Sequence, residues 1–159
     1  MEIKSRHHLR ADEIDSIREA VRETMGVEID SEVFEAVEFD DYDRRVVLTD
    51  GAPHVAFFDG EPVLTVRGAN EYAPERNVVT VDAGAVSFVS DGANVMRPGI
   101  VAADDSIAAG EPVAIAEQTH GKVLAVGRAD VEGPEMIGED GKVVESLHCV
   151  GDSLYEFVG

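Results

Sequence analysis

The sequence predicts an α+β domain followed by a mainly β pseudo-barrel, and three observations carry that reading. A single amphipathic helix pattern near the start is followed by three short strands joined by Asp-Gly turns. From residue 78 onward short apolar segments alternate with glycine-bearing turns, as in a small barrel. The 159 residues suit one domain or two small ones, and a hydrophobic content of 44% supports a globular core. The division falls between residues 1–76 and 77–159.

Leu9, Ile14, Ile17, Val21 and Met25 share one helical face. Asp12, Glu13 and Asp15 crowd the first turn, where the helix dipole favours negative charge, and Gly26 is the stop. Such a stripe is read as core. Val33 to Phe39 reads as a strand, ended by the acidic turn at Asp40, Asp41 and Asp43. Arg45 to Thr49, His54 to Phe58 and Pro62 to Val66 follow as a meander, because Asp50-Gly51 and Asp59-Gly60 readily take the positive φ of tight hairpins. Gly68 to Asn77, with Pro74 inside it, reads as a linker. The barrel is expected to fold without help from the first domain.

The most informative stretch is Val78 to Ile100. It reads as a strand (Val78 to Val81), a turn at Asp82, Ala83 and Gly84, and a short helix with Ala85, Val86, Phe88 and Val89 packed inward. Asp91-Gly92 closes the helix, and Val95, Met96 and Arg97 extend into Pro98-Gly99. Strands at Pro112 to Ala116 and Lys122 to Arg128 flank a turn at Thr119, His120 and Gly121. A loop over Gly133 to Gly141 carries a turn of helix after Pro134, and strands at Lys142 to Val150 and Leu154 to Val158 complete the barrel.

The formal net charge is −20, from 33 acidic and 13 basic residues, only three of them lysine. The acids are spread along the chain, which argues against a disordered acidic tail. An acidic surface with arginine preferred over lysine is expected of a salt-in halophile, because in molar salt the Debye length shrinks to roughly 3 Å and self-repulsion is screened. The same screening removes most of the counterion-release gain that rewards basic residues on nucleic acid. RNA binding by such a chain would rest on shape, backbone donors, stacking and a few arginines.

A lone Cys149 excludes an internal disulfide and fits a reducing cytosol. The first ten residues hold no apolar signal region, and no run approaches the roughly 18 apolar residues of a membrane span. The expected location is the cytoplasm. His148 and Cys149 are strand neighbours and point to opposite faces, so they do not form a nucleophile and base pair. His7-His8 lacks helical metal-pair spacing, and there is no Cys-x-x-Cys and no phosphate-binding GxxxxGK[ST] loop. No catalytic residue, metal site or cofactor is expected.

Val81-Asp82-x-Gly84-Ala85, Phe88-Val89 and Gly92-Ala93-Asn94-Val95-Met96-x-Pro98-Gly99 together resemble the opening of a PUA domain. With Glu145-Ser146-Leu147-His148 and Gly151-Asp152-Ser153-Leu154, the second half is similar to the malignant T-cell-amplified-sequence family, in which a pre-PUA domain precedes the PUA domain. One departure is Ala83, where the family often has lysine.

The resemblance implies a non-catalytic RNA-binding protein of translation. Its PUA domain would hold structured RNA, tRNA or ribosomal, and its first domain would dock on the small ribosomal subunit or on an initiation-factor-like protein. The implied RNA contacts are Ala83, Gly84 and Ala85 at the helix start and Asn94, Val95, Met96, Arg97 and Pro98 on the strand. Backbone N–H groups at a helix start suit phosphate, an arginine forks onto phosphate or guanine, and an asparagine reads a base edge. For Val95 a core role is at least as well supported. Lys122 and Arg128 are weaker candidates on the same face. Two alternatives stand beside this: an accessory subunit presenting RNA to a tRNA-modifying enzyme, and an acidic protein-interaction module whose RNA face is vestigial.

Overall fold

Ile3–His8 opens the chain as strand β1, paired antiparallel with β2 (Phe34–Phe39) in a computed structural model that describes residues 1–159. Sequence periodicity does not reveal β1, because five of its residues are exposed and the sixth half-buried, leaving no alternation to see. Helix α1 (Ala11–Met25) follows with Ile17, Val21 and Met25 buried. Gly26, at φ 66°, ends it by donating its N–H to the Arg22 carbonyl. Strands β2, β3 (Val46–Thr49), β4 (Ala52–Phe58) and β5 (Glu61–Leu64) complete the antiparallel sheet in the order β1-β2-β3-β4-β5. Both Asp-Gly pairs have positive φ at both residues, as the hairpin reading requires.

Where a linker was expected, Val66–Tyr72 forms helix α2. The Thr65 hydroxyl caps it by accepting the Gly68 N–H at 3.0 Å. A Cβ at Gly68 would collide with the His54 carbonyl oxygen, so the glycine lets α2 press directly on β4.

The second half contains β6 (Val78–Val81), a 3₁₀ turn at Ala83–Ala85, α3 (Val86–Ser90), β7 (Val95–Met96), a 3₁₀ turn at Arg97–Gly99 and β8 (Ile100–Ala103). Then come β9 (Pro112–Glu117), β10 (Val123–Ala129), a 3₁₀ turn at Gly133–Glu135, β11 (Lys142–Cys149) and α4 (Ser153–Glu156). The sheet order is β7-β11-β10-β9-β6-β8, and β6 beside β9 is parallel while the other pairs are antiparallel. This is the expected α+β region followed by a mainly β pseudo-barrel. No helix is long and apolar enough to cross a membrane.

Leu154 to Val158 is not a barrel strand. The Asp152 carboxylate accepts the Tyr155 N–H at 2.9 Å and so starts α4, which turns Leu154 into the core of the first sheet. Ala114, Ala116, Val123 and Val126 join that same core, while the barrel interior has its own, built around Val79, Val81, Ile115 and Val144. The halves therefore share an apolar core, against the expectation of a barrel that closes unaided. Polar groups reinforce the junction. Asn70 donates to the Val123 carbonyl at 3.0 Å and accepts the Val123 N–H at 2.8 Å, extending β10 as a strand would. His148, buried in β11, accepts the Val66 N–H at Nε2 (3.1 Å) and donates from Nδ1 to Asp152 (2.7 Å).

Candidate nucleic-acid interface

The turn after β6 is built by Asp82. Its carboxylate accepts the Ala85 N–H at 3.0 Å, while its own N–H donates to the Gly99 carbonyl at 2.9 Å. This ties the start of α3 to the Arg97–Gly99 turn. A Cβ at Gly99 would lie 2.9 Å from the Ala85 Cβ, so only small residues let the two segments meet.

Between them runs a groove of about 300 Å³, lined by Gly84, Ala85, Phe88, Asn94, Met96 and Pro98 together with Asp82 and Gly99. The groove brings together Gly84, Ala85, Asn94, Val95, Met96 and Pro98 of the residues expected to touch RNA. Val95 contributes from the core, being buried in the barrel interior. Ala83 sits exposed on the adjoining turn.

Phe88 was expected to point inward but is 66% exposed and stands on the groove wall, where Met96 is 49% exposed. On a helix, residues one apart diverge by about 100°, so Phe88 and Val89 cannot both face the core. Val89 takes that place. The adjacency of two apolar residues on a five-residue helix was the available signal for an exposed aromatic.

Arg97, Arg128 and Lys122 lie elsewhere. Arg97 donates from Nε to the Glu135 carbonyl at 2.9 Å and from a terminal nitrogen to the Asp140 carbonyl at 3.0 Å, so its guanidinium holds the loop before β11. Arg128 binds the Glu61 carboxylate at 2.9 Å and the carbonyls of Gly110 and Phe58, bracing the junction between the halves. Lys122, exposed at the β9–β10 turn, lines a separate groove. Position along the chain does not fix which face of the barrel a side chain takes, because that depends on the partner strands.

The groove's chemistry follows from this arrangement. It contains no cation and one carboxylate, Asp82, which already occupies the Ala85 N–H. Phosphate is disfavoured there, whereas an uncharged base or ribose fits small residues beside an exposed aromatic. Asn94 accepts the Ser146 N–H through its side-chain oxygen at 2.9 Å, which fixes the amide and leaves its NH₂ as the free donor. Gly84 has an ordinary φ, and a Cβ there would meet only the Asp82 oxygen at 3.4 Å. Its smallness serves groove space rather than backbone conformation. Behind α3, burial pushes the Cys149 thiol above its usual range, so it is a poor nucleophile.

A PUA-domain family model matches residues 77–150, which contain the whole groove. The Drosophila melanogaster malignant T-cell-amplified sequence 1 homolog is 30% identical over 72% of this chain and 67% of its own length. The chain is a PUA-domain protein of the malignant T-cell-amplified-sequence family. An uncharacterized protein of Methanocaldococcus jannaschii is 37% identical over 74% of this chain and 73% of its own. Translation machinery-associated protein 20 of Schizosaccharomyces pombe is 28% identical over 73% of this chain and 68% of its own. Among solved structures, a PUA-domain protein from Thermoplasma acidophilum superposes with a TM-score of 0.83 at 30% identity, covering 95% of this chain and 97% of that one. The family match supports RNA binding, and the Schizosaccharomyces pombe relative carries a link to translation in its name.

Proposed function

We propose that this PUA-domain protein binds structured RNA, tRNA or ribosomal RNA, without catalysis, and that it acts in cytoplasmic translation. The observation that carries this reading is the cation-free groove with an exposed Phe88 on its wall. It would receive unstacked bases, with Gly84, Ala85 and Pro98 shaping the space and the Asn94 amide donating to a base edge. The first domain would dock on the small ribosomal subunit or on an initiation-factor-like partner, in keeping with the translation-associated relatives.

The test is tRNA binding in potassium chloride by Gly84→Glu and Phe88→Ala. Gly84→Glu should fold, since its backbone is unstrained, and should weaken binding by filling the groove with a carboxylate. Phe88→Ala should remove a stacking platform worth about 1 to 3 kcal/mol per base, more than tenfold in affinity at the middle of that range. Arg97→Ala should cost less, because Arg97 faces the Glu135 and Asp140 carbonyls. If both groove variants bind as the parent does, the groove is not the interface.

A further inference from the structure

In a chain this acidic, most cations are engaged. Arg6, Arg10, Arg22, Arg45, Arg128 and Lys142 pair with carboxylates. Arg18 and Arg97 bind backbone carbonyls, and Arg44 lies over the Phe58 ring. Lys4, Arg76 and Lys122 have no side-chain partner and Arg67 is held by Tyr155 alone, and two of these four, Arg67 and Lys122, line one groove of about 450 Å³ at the junction of the halves. Its other polar walls are His54 from β4 and Asn70 and Glu71 from α2. Arg67 is held ready. Its guanidinium stacks 4.2 Å over the Tyr155 ring and its Nε donates to the Tyr155 carbonyl at 2.9 Å, while its terminal nitrogens have no partner in the chain. Such a stacked arginine presents a fixed fork to an anion. The backbone at Lys122 is fixed too, since Asn70 pins the Val123 backbone and the Glu117 carboxylate accepts the Lys122 N–H at 3.0 Å.

We infer that the groove of Arg67 and Lys122 is a second RNA-binding surface that takes the phosphodiester backbone, complementing the cation-free PUA groove. This rests on the RNA-binding reading above. The two grooves flank one turn at the same end of the barrel. In the parallel register of β6 and β9, Val81 lies beside Glu117 and accepts the Gln118 N–H at 3.0 Å. Asp82 of the first groove follows Val81, and Lys122 of the second follows the turn that begins at Gln118. A strand whose bases occupy the PUA groove would pass over this turn, and its phosphates would meet the two cations. Burial holds His54 below the usual imidazole range, so it is neutral at pH 7 and adds hydrogen bonding rather than charge.

The experiment compares full-length tRNA with a single-stranded trinucleotide, long enough for the first groove alone, on the intact protein, Lys122→Glu, Lys122→Arg and Arg67→Gln. Lys122 is exposed and its side chain has no internal partner, so Lys122→Glu should keep the fold. Lys122→Glu and Arg67→Gln should weaken tRNA binding and make its dependence on log salt shallower by about one unit for each phosphate left without its cation, while trinucleotide binding stays as in the parent. Lys122→Arg should restore tRNA binding. Unchanged tRNA affinity and slope in Lys122→Glu, beside a parent that binds both ligands, overturns this second surface and leaves the first intact. Equal weakening for tRNA and trinucleotide also overturns it, as does polyglutamate competing as well as RNA, which would assign the cations to an acidic protein. A parent that binds neither RNA overturns the RNA reading and this surface with it.

Discussion

His148→Leu should separate the junction from the groove. The imidazole is buried, Nε2 accepts the Val66 N–H that starts α2, and Nδ1–H donates to Asp152. Leucine fills similar space but removes both bonds. An orphaned buried N–H costs about 1 to 3 kcal/mol, and the missing bond to the carboxylate about 1.5 to 3 kcal/mol. Against a domain stability of about 5 to 15 kcal/mol, a loss near 3 to 5 kcal/mol would be severe. Urea unfolding at fixed potassium chloride should show it, and amide exchange at Val66 should accelerate.

Acid dependence supplies a second readout. Burial raises the Asp152 carboxyl, but the His148 bond and the backbone N–H groups of Cys149 and Tyr155 outweigh it and hold the carboxyl below its ordinary 3.8. A carboxylate whose folded pKa is depressed adds stability above its unfolded value and loses it as pH falls through the folded one. In the parent that loss lies below the ordinary aspartate range. His148→Leu, by leaving burial less opposed, should raise the folded pKa toward the unfolded one, so the part of the acid-induced loss that Asp152 supplies should shrink. A variant within about 1 kcal/mol of the parent, with an unchanged acid profile and a protected Val66 amide, would refute the assignment of His148 as the strut between the halves.

Two further outcomes follow from the surface and the core. If, as we propose, the acidic surface suits molar salt, the melting temperature by circular dichroism should fall steadily as potassium chloride is lowered to about 0.1 M, where the Debye length nears 10 Å, and a constant melting temperature would count against it. Residues 77–159 alone would expose Ala114, Ala116, Val123, Val126 and Leu154, so amide NMR signals of that fragment in high salt should be poorly dispersed, and a spectrum matching its part of the intact protein would show that the shared core is dispensable.

The sequence by itself determined whatever depends on neighbours along the chain. The stripe of α1, the Asp-Gly hairpins and the PUA signature from Val81 to Pro98 all use local periods or turn chemistry, and they were enough for the fold and for the groove-forming Gly84, Ala85, Asn94, Met96 and Pro98. What only the tertiary structure decided was set by partners distant in sequence. Residues 154–158 read equally as strand until Asp152, fixed by His148, caps a helix there, and α2 is secured by the pressing of Gly68 on β4 and by Asn70 on β10. The roles of the cations were likewise invisible. Arg97 is drawn to a carbonyl 38 residues away and Arg128 to one 70 residues away, while Arg67, inside an expected linker, is carried to the same groove as Lys122 only because the two halves share a core.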